Sequence, residues 1–198
     1  MTKRIVVGVS GASGAPYAIR LIQLLMENGV EVHLCVSDLG KRLLFEESGV
    51  KKLNAENLGV GAFNSNLVLH NDRDLGAPIA SGTFLHDGMI VLPCSSNTLG
   101  SIASGITSTL VQRAALVCLK ERRKLVLGHR ESPLSLVDIE NIKRTTEAGA
   151  IVAPLSPGFY MNPATIEDVV DFMVGKLVDL LDINHKLPVR WGQPEHTN

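Results

Sequence analysis

The chain carries only three cysteines, Cys35, Cys94 and Cys118, an odd number without C-x-x-C spacing. That argues against a disulfide frame and for reduced thiols in the cytosol. It has no excess of charge. With 19 Lys and Arg against 20 Asp and Glu, neither nucleic acid nor an anionic membrane is an expected partner. No apolar run is long enough to span a bilayer, and the apolar stretch after Met1-Thr2-Lys3-Arg4 is too short for a signal peptide. No linker, repeat or low-complexity segment divides the 198 residues, so one domain is expected over 1–185, with a tail over 186–198. The six histidines show no metal-ligand spacing, and no metal is expected. What is left is a cytoplasmic protein that handles small molecules.

The most informative stretch present is the beginning. Ile5 to Val9 is a nearly continuous apolar run, as in a central parallel strand covered on both faces. Gly8, Gly11 and Gly14 recur at every third position, with Ser10 and Ser13 among them, and Pro16 falls near the first turn of a helix. Unpaired amides and the positive end of a helix dipole make such a turn a phosphate cradle. The competing account is a tight turn that needs small residues for packing alone. The spacing G-x-x-G-x-x-G is not the dinucleotide fingerprint, and the P-loop lysine is missing, so a mononucleotide phosphate fits better.

Apolar runs alternate with helical periodicity along the rest of the chain, the pattern of an α/β fold with a doubly wound parallel sheet. Strands are expected at 4–9, 30–36, 88–93, 124–129 and 150–155. Helices are expected at 16–28, 38–47, 98–121 with a break near Gly105, 135–147 and 165–182. Gly29 and Gly149 sit where C-terminal caps belong, and Ser135-x-x-Asp138 and Thr165-x-x-Asp168 read as capping boxes. The segment 49–87, rich in Asn, Gly and Asp, reads as irregular.

In such sheets the ligand lies beyond the carboxyl ends of the strands. Those ends carry Ser10 to Gly14, Ser37 with Asp38, Cys94 to Thr98, Arg130 with Glu131, and Ser156 to Tyr160. All five are polar or glycine-rich, which points to one crevice. Cys94 has no base near it in sequence and reads as a packed thiol. Arg113 and Lys120 lie two turns apart on one helical face, suited to gripping an anion, or equally to forming a solvated stripe. Arg130-Glu131 offers a guanidinium for phosphate or a flavin carbonyl beside a carboxylate able to manage a proton, with a surface ion pair as the alternative. The Tyr160 hydroxyl is a further candidate, against plain packing.

Taken together, Gly11-Ala12-Ser13-Gly14-Ala15-Pro16-Tyr17, Ala80-Ser81-Gly82-Thr83-Phe84, Pro93-Cys94-Ser95, Arg113-Ala114-Ala115, Leu119-Lys120-Glu121-Arg122-Arg123, Arg130-Glu131-Ser132-Pro133-Leu134 and Pro157-Gly158-Phe159-Tyr160 resemble the UbiX-type flavin prenyltransferases, in order and over nearly the whole chain. The resemblance implies a Rossmann-like flavoprotein that moves a dimethylallyl group from dimethylallyl monophosphate to N5 and C6 of reduced FMN without a metal. It implies a UbiD-type decarboxylase as recipient of the prenylated FMN, and a dodecamer in which some contacts cross subunits.

Carried over by position, the flavin contacts fall on Gly11, Ala12, Ser13, Ser37, Ser95, Ser96, Asn97, Thr98 and Arg130. The prenyl-phosphate contacts fall on Arg113, Lys120, Arg130, Tyr160 and Lys176. Ser13, Glu47 and Glu131 stand near the reacting centre, and either Glu131 or the released phosphate is a candidate base. Three places depart from the family pattern. Gly128-His129 precede Arg130 where an apolar residue and proline are common, Lys176 replaces a frequent arginine, and Ser96-Asn97 replace Met-Gly or Met-Lys. Pro-x-Ser-x-Asn-Thr instead resembles the FMN-dependent cysteine decarboxylases of the phosphopantothenoylcysteine decarboxylase type, the second reading. A flavin carrier without turnover is the third, and has no need of a second anion pocket.

Overall fold

A computed structural model describes residues 2–187, with the side chains of 62–64 left aside. Residues 188–198, most of the expected tail together with His196, lie outside the described residues. Six parallel strands form one sheet: β1 (Arg4–Val9), β2 (Glu31–Val36), β3 (Leu67–Asn71), β4 (Gly88–Cys94), β5 (Leu125–His129) and β6 (Ile151–Pro154). Their order is β3-β2-β1-β4-β5-β6, the doubly wound order in which the chain reverses direction of growth between β1 and β4.

Both faces of the central strands are covered, so their side chains are apolar in both parities. Ile5, Val7, Val9, Leu34, Ile90 and Val126 meet one core, under α1 (Ala15–Glu27) and α6 (Ile166–Leu180). Val6, Cys35, Met89, Val91, Cys94 and Leu127 meet the other, under α3 (Ser96–Ala103) and α4 (Leu110–Lys120). The remaining helices are α2 (Asp38–Ser48), beside α1, and α5 (Leu136–Glu147), beside α3. Among the described residues no helix is long and apolar enough to cross a membrane.

The expected elements are all present within a residue or two at most ends. Capping boxes open α5 and α6 through Ser135 with Asp138 and Thr165 with Asp168, and Thr109 with Gln112 opens α4 in the same way. Two expectations change. The break near Gly105 is a full loop, because Gly105 takes φ +73° and Thr109 caps a new helix. The segment 49–87 also holds β3, an edge strand whose Val68, Leu69 and Asn71 are exposed; half-solvated and ending in His-Asn, it lacks the apolar run that marks its neighbours.

Candidate functional site at the carboxyl ends of the strands

The strand ends are stitched together by their own polar groups. Ser10, just past β1, donates its hydroxyl to the Pro93 carbonyl at 3.0 Å and accepts the Ser95 amide at 2.9 Å. The Ser37 amide donates to the Val9 carbonyl, and the Arg130 amide to the Cys94 carbonyl. Ends of β1, β2, β4 and β5 therefore form one continuous floor across the reversal point of the sheet.

Two helices open onto this floor with side-chain caps. Ser37 accepts the Gly40 amide at 3.0 Å at the start of α2, and Ser95 accepts the Thr98 amide at 3.3 Å at the start of α3. Each cap satisfies one first-turn amide and leaves others without a partner inside the helix, the arrangement that suits a phosphate. Ser95 also donates to the Thr98 hydroxyl at 3.2 Å. Ser37, Ser95, Ser96, Asn97 and Thr98 thus stand at the same edge of the sheet as Arg130. Their hydroxyls, amides and guanidinium form a donor set that fits the phosphate and polar ring edge of FMN.

The opening turn differs from its sequence reading. The Glu47 carboxylate, from the last turn of α2, accepts the amides of Gly14 and Ala15 at 2.9 Å each. The anion seat at the head of α1 is therefore filled from within the chain. Burial pushes the Glu47 carboxyl up, but the two amides, the Ser13 hydroxyl and the nearby Arg130 outweigh it and hold it below its ordinary range. Gly11 is needed for packing, since a Cβ there would lie 2.6 Å from the Leu39 Cβ, and Gly14 sits at φ +132°. Ser10 is buried and spent on the floor, while Ser13 is exposed. Ser13, Glu47 and Arg130 do come together.

Glu131 does not pair with Arg130. Its Oε2 accepts the Ser96 hydroxyl at 3.3 Å and its Oε1 the Ser132 amide at 3.1 Å. Ser96 in turn lies 3.1 Å from His129 Nε2. Two positions that depart from the family pattern, Ser96 and His129, therefore touch each other, and no single-residue signal in the sequence reveals this. Cys94 is fully buried and burial pushes its thiol up to about 12, so it is inert as expected.

The expected phosphate-binding set is not gathered in one chain. Arg113 and Lys120 line a cavity of about 520 Å³ on the outer side of α4, with Ala80 to Thr83. The Arg113 Nε donates to the Ala80 carbonyl at 3.4 Å, and Lys120 pairs with Glu121 at 3.0 Å. Tyr160 and Lys176 line a second cavity of about 450 Å³ between β6 and α6. Tyr160 packs edge-on against Phe172, their ring centres 5.6 Å apart. Helices α4 and α6 cover opposite faces of the sheet, so the two groups cannot close on one anion within a single copy.

Residues 1–183 match the family model described as Flavoprotein. A flavin prenyltransferase UbiX of Thermoplasma acidophilum is 45% identical over 190 residues, covering 95% of this chain and 99% of that one. The structure of a UbiX protein (PadA1) in complex with FMN and dimethylallyl pyrophosphate is 38% identical, covers 98% of this chain and 100% of that chain, and superposes with a TM-score of 0.89. A dodecameric, FMN-dependent UbiX-like decarboxylase from Escherichia coli O157:H7 is 39% identical, covers 96% of this chain and 100% of that chain, and gives a TM-score of 0.86. A phosphopantothenoylcysteine-type decarboxylase aligns at 18% identity with a TM-score of 0.59, a likeness of fold alone.

Proposed function

The chain belongs to the Flavoprotein family, among the UbiX flavin prenyltransferases, and we propose that it transfers a dimethylallyl group from dimethylallyl monophosphate to N5 and C6 of reduced FMN. The observation that carries this reading is the strand-end floor, where Arg130 and the carboxylates of Glu47 and Glu131 stand over one set of phosphate donors. Ser37, Ser95, Ser96, Asn97, Thr98 and Arg130 hold the FMN, with Gly11, Ala12 and Ser13 along its edge. When bound, reduced FMN supplies the nucleophilic positions and an electron-rich face for an allylic cation.

The protein's own contribution is electrostatic. Breaking an allylic C–O bond leaves charge on the phosphate, and Arg113, Lys120, Arg130 and Lys176 stabilise it with fixed cations, while Tyr160 adds a hydroxyl. Arg113 and Lys120 face outward from α4 in one copy, and Tyr160 and Lys176 outward near α6. In this reading the two groups reach one phosphate only when copies assemble; a UbiX-like relative is dodecameric. Glu131 takes up the proton that C6 loses on ring closure, and Ser13 and Glu47 orient the reacting edge. The product serves a UbiD-type decarboxylase, and the enzyme works in the cytoplasm.

Anaerobic incubation of the purified protein with reduced FMN and dimethylallyl monophosphate tests the reading by the mass of the flavin. A gain of one prenyl group is expected, and an unchanged flavin mass overturns it.

A further inference from the structure

His129 is the last residue of β5, 3% exposed, with its ring on the face of the sheet covered by α3 and α5. Its Nε2 lies 3.1 Å from Ser96 Oγ, and Ser96 Oγ lies 3.3 Å from Glu131 Oε2. A hydroxyl both accepts and donates, so the three groups form one unbroken hydrogen-bonded path from carboxylate to imidazole. Glu131 is aimed along it, because its other oxygen is held by the Ser132 amide. We propose that His129, acting through Ser96, takes the proton from Glu131 and restores its carboxylate for the next turnover. This rests on the reading of Glu131 as acceptor of the proton lost on ring closure.

The step balances as two coupled proton transfers. The Glu131 O–H bond breaks as its proton passes to Ser96 Oγ, the original Ser96 O–H bond breaks, and a new N–H bond forms at His129 Nε2. No electrons change hands. The groups facing His129 suit both ends of the transfer. Asp138 from α5 and Glu131 from the loop after β5 are acidic, and Cys94 on β4 is a neutral thiol. Asp138 accepts the Ser135 amide and hydroxyl at 2.9 and 2.6 Å, and these bonds, with help from Ser96, hold its carboxyl at about 2, so it stays ionised. Burial keeps the resting imidazole neutral and receptive, and the Asp138 carboxylate stabilises the imidazolium once formed. Glu131 is exposed in a single copy and Ser96 half-exposed, and the imidazolium returns its proton to water through Ser96.

His129 is a positioning residue here, and the test reads its protonation. Prenylated flavin formation is followed against pH, in H2O and D2O, at saturating FMN, for the wild type and for E131Q, S96A and H129Q. E131Q is expected to slow ring closure by about a hundredfold, the lower end of what a placed acid or base contributes, and the two relay variants by about tenfold. The wild type loses rate as pH falls through a value below the ordinary histidine 6.5, because an imidazolium cannot accept. S96A and H129Q erase that limb and shrink the solvent isotope effect. An unchanged pH limb and isotope effect in S96A, beside a slow E131Q, overturns the relay and leaves Glu131 as the base. A fully active E131Q overturns both. S96A, at a half-exposed helix start, decides the matter if H129Q does not fold.

Discussion

Arg4 grips Glu31 through two hydrogen bonds, Nε to Oε1 at 2.7 Å and Nη2 to Oε2 at 3.1 Å, joining the starts of β1 and β2. The same carboxylate takes His33 Nε2 at 2.7 Å, and His33 Nδ1 lies 2.9 Å from His70 Nε2 on β3. The network ties three neighbouring strands at the end of the sheet away from the flavin site.

Its titration sets an acid limit. Hydrogen bonds from Arg4 and His33 hold the Glu31 carboxyl at about 2 against an ordinary 4.5, and burial holds His33 below its ordinary 6.5. Both folded values are depressed, so both contributions are present above the unfolded values and are lost as pH falls. The histidine part goes first, below 6.5, and the Glu31 part follows between 4.5 and about 2. Urea unfolding from pH 7 to 3 should show the wild type losing on the order of 2 kcal/mol more than E31Q over the lower window. Parallel curves would remove the network from the account.

Glu47→Gln tests the internal cap on α1. A neutral amide oxygen accepts the two backbone N–H groups more weakly than a charged carboxylate oxygen does, so a loss of about 1 kcal/mol is expected. The Glu47 carboxyl is held low, so its contribution is present above the ordinary carboxylate value and fades in acid. Thermal unfolding at pH 7 and pH 4 should show a larger gap between variant and wild type at pH 7.

Mixing two impaired variants, assayed at prenyl phosphate well below their raised KM, tests whether the phosphate site is shared between copies. Arg113→Ala and Lys176→Ala should each raise the KM for the prenyl phosphate. Reassembly of the two variants together should recover activity at about a quarter of the sites, as random pairing across a shared interface gives. No recovery would place all the cations in one copy.

Gly40→Ala probes the contact that seats α2. A Cβ at Gly40 would lie 2.7 Å from the Val9 carbonyl oxygen, a backbone atom that cannot swing aside. Overpacking of this kind costs about 1–3 kcal/mol, and the shift of the Ser37 cap should weaken FMN binding measured by flavin fluorescence.

Much of this was legible in the residues. The buried strands announced themselves because both their faces are apolar, and the helix starts because Ser135 and Thr165 cap them within four residues. Edge strand β3 was not, since Leu67 to Asn71 is half-solvated and pairs on one side only. The crevice followed from the strand ends, yet its wiring did not. Glu47 meets Gly14 across 33 residues, and Ser96 meets His129 across another 33. Contacts between distant turns leave no periodic trace. The separation of Arg113 and Lys120 from Tyr160 and Lys176 was likewise hidden, because sequence spacing does not say which face of a sheet a helix covers.

The carboxylate lodged at the head of α1 has a consequence for discrimination among cellular cofactors. A dinucleotide such as NAD or FAD places its pyrophosphate at the first helix of this kind of sheet. Here Glu47 already occupies those amides and carries the same sign of charge, so a pyrophosphate meets both a lost partner and repulsion. On the proposed seating, a dinucleotide is expected to be disfavoured by this carboxylate, whereas a single-phosphate flavin held at the starts of α2 and α3 does not meet it.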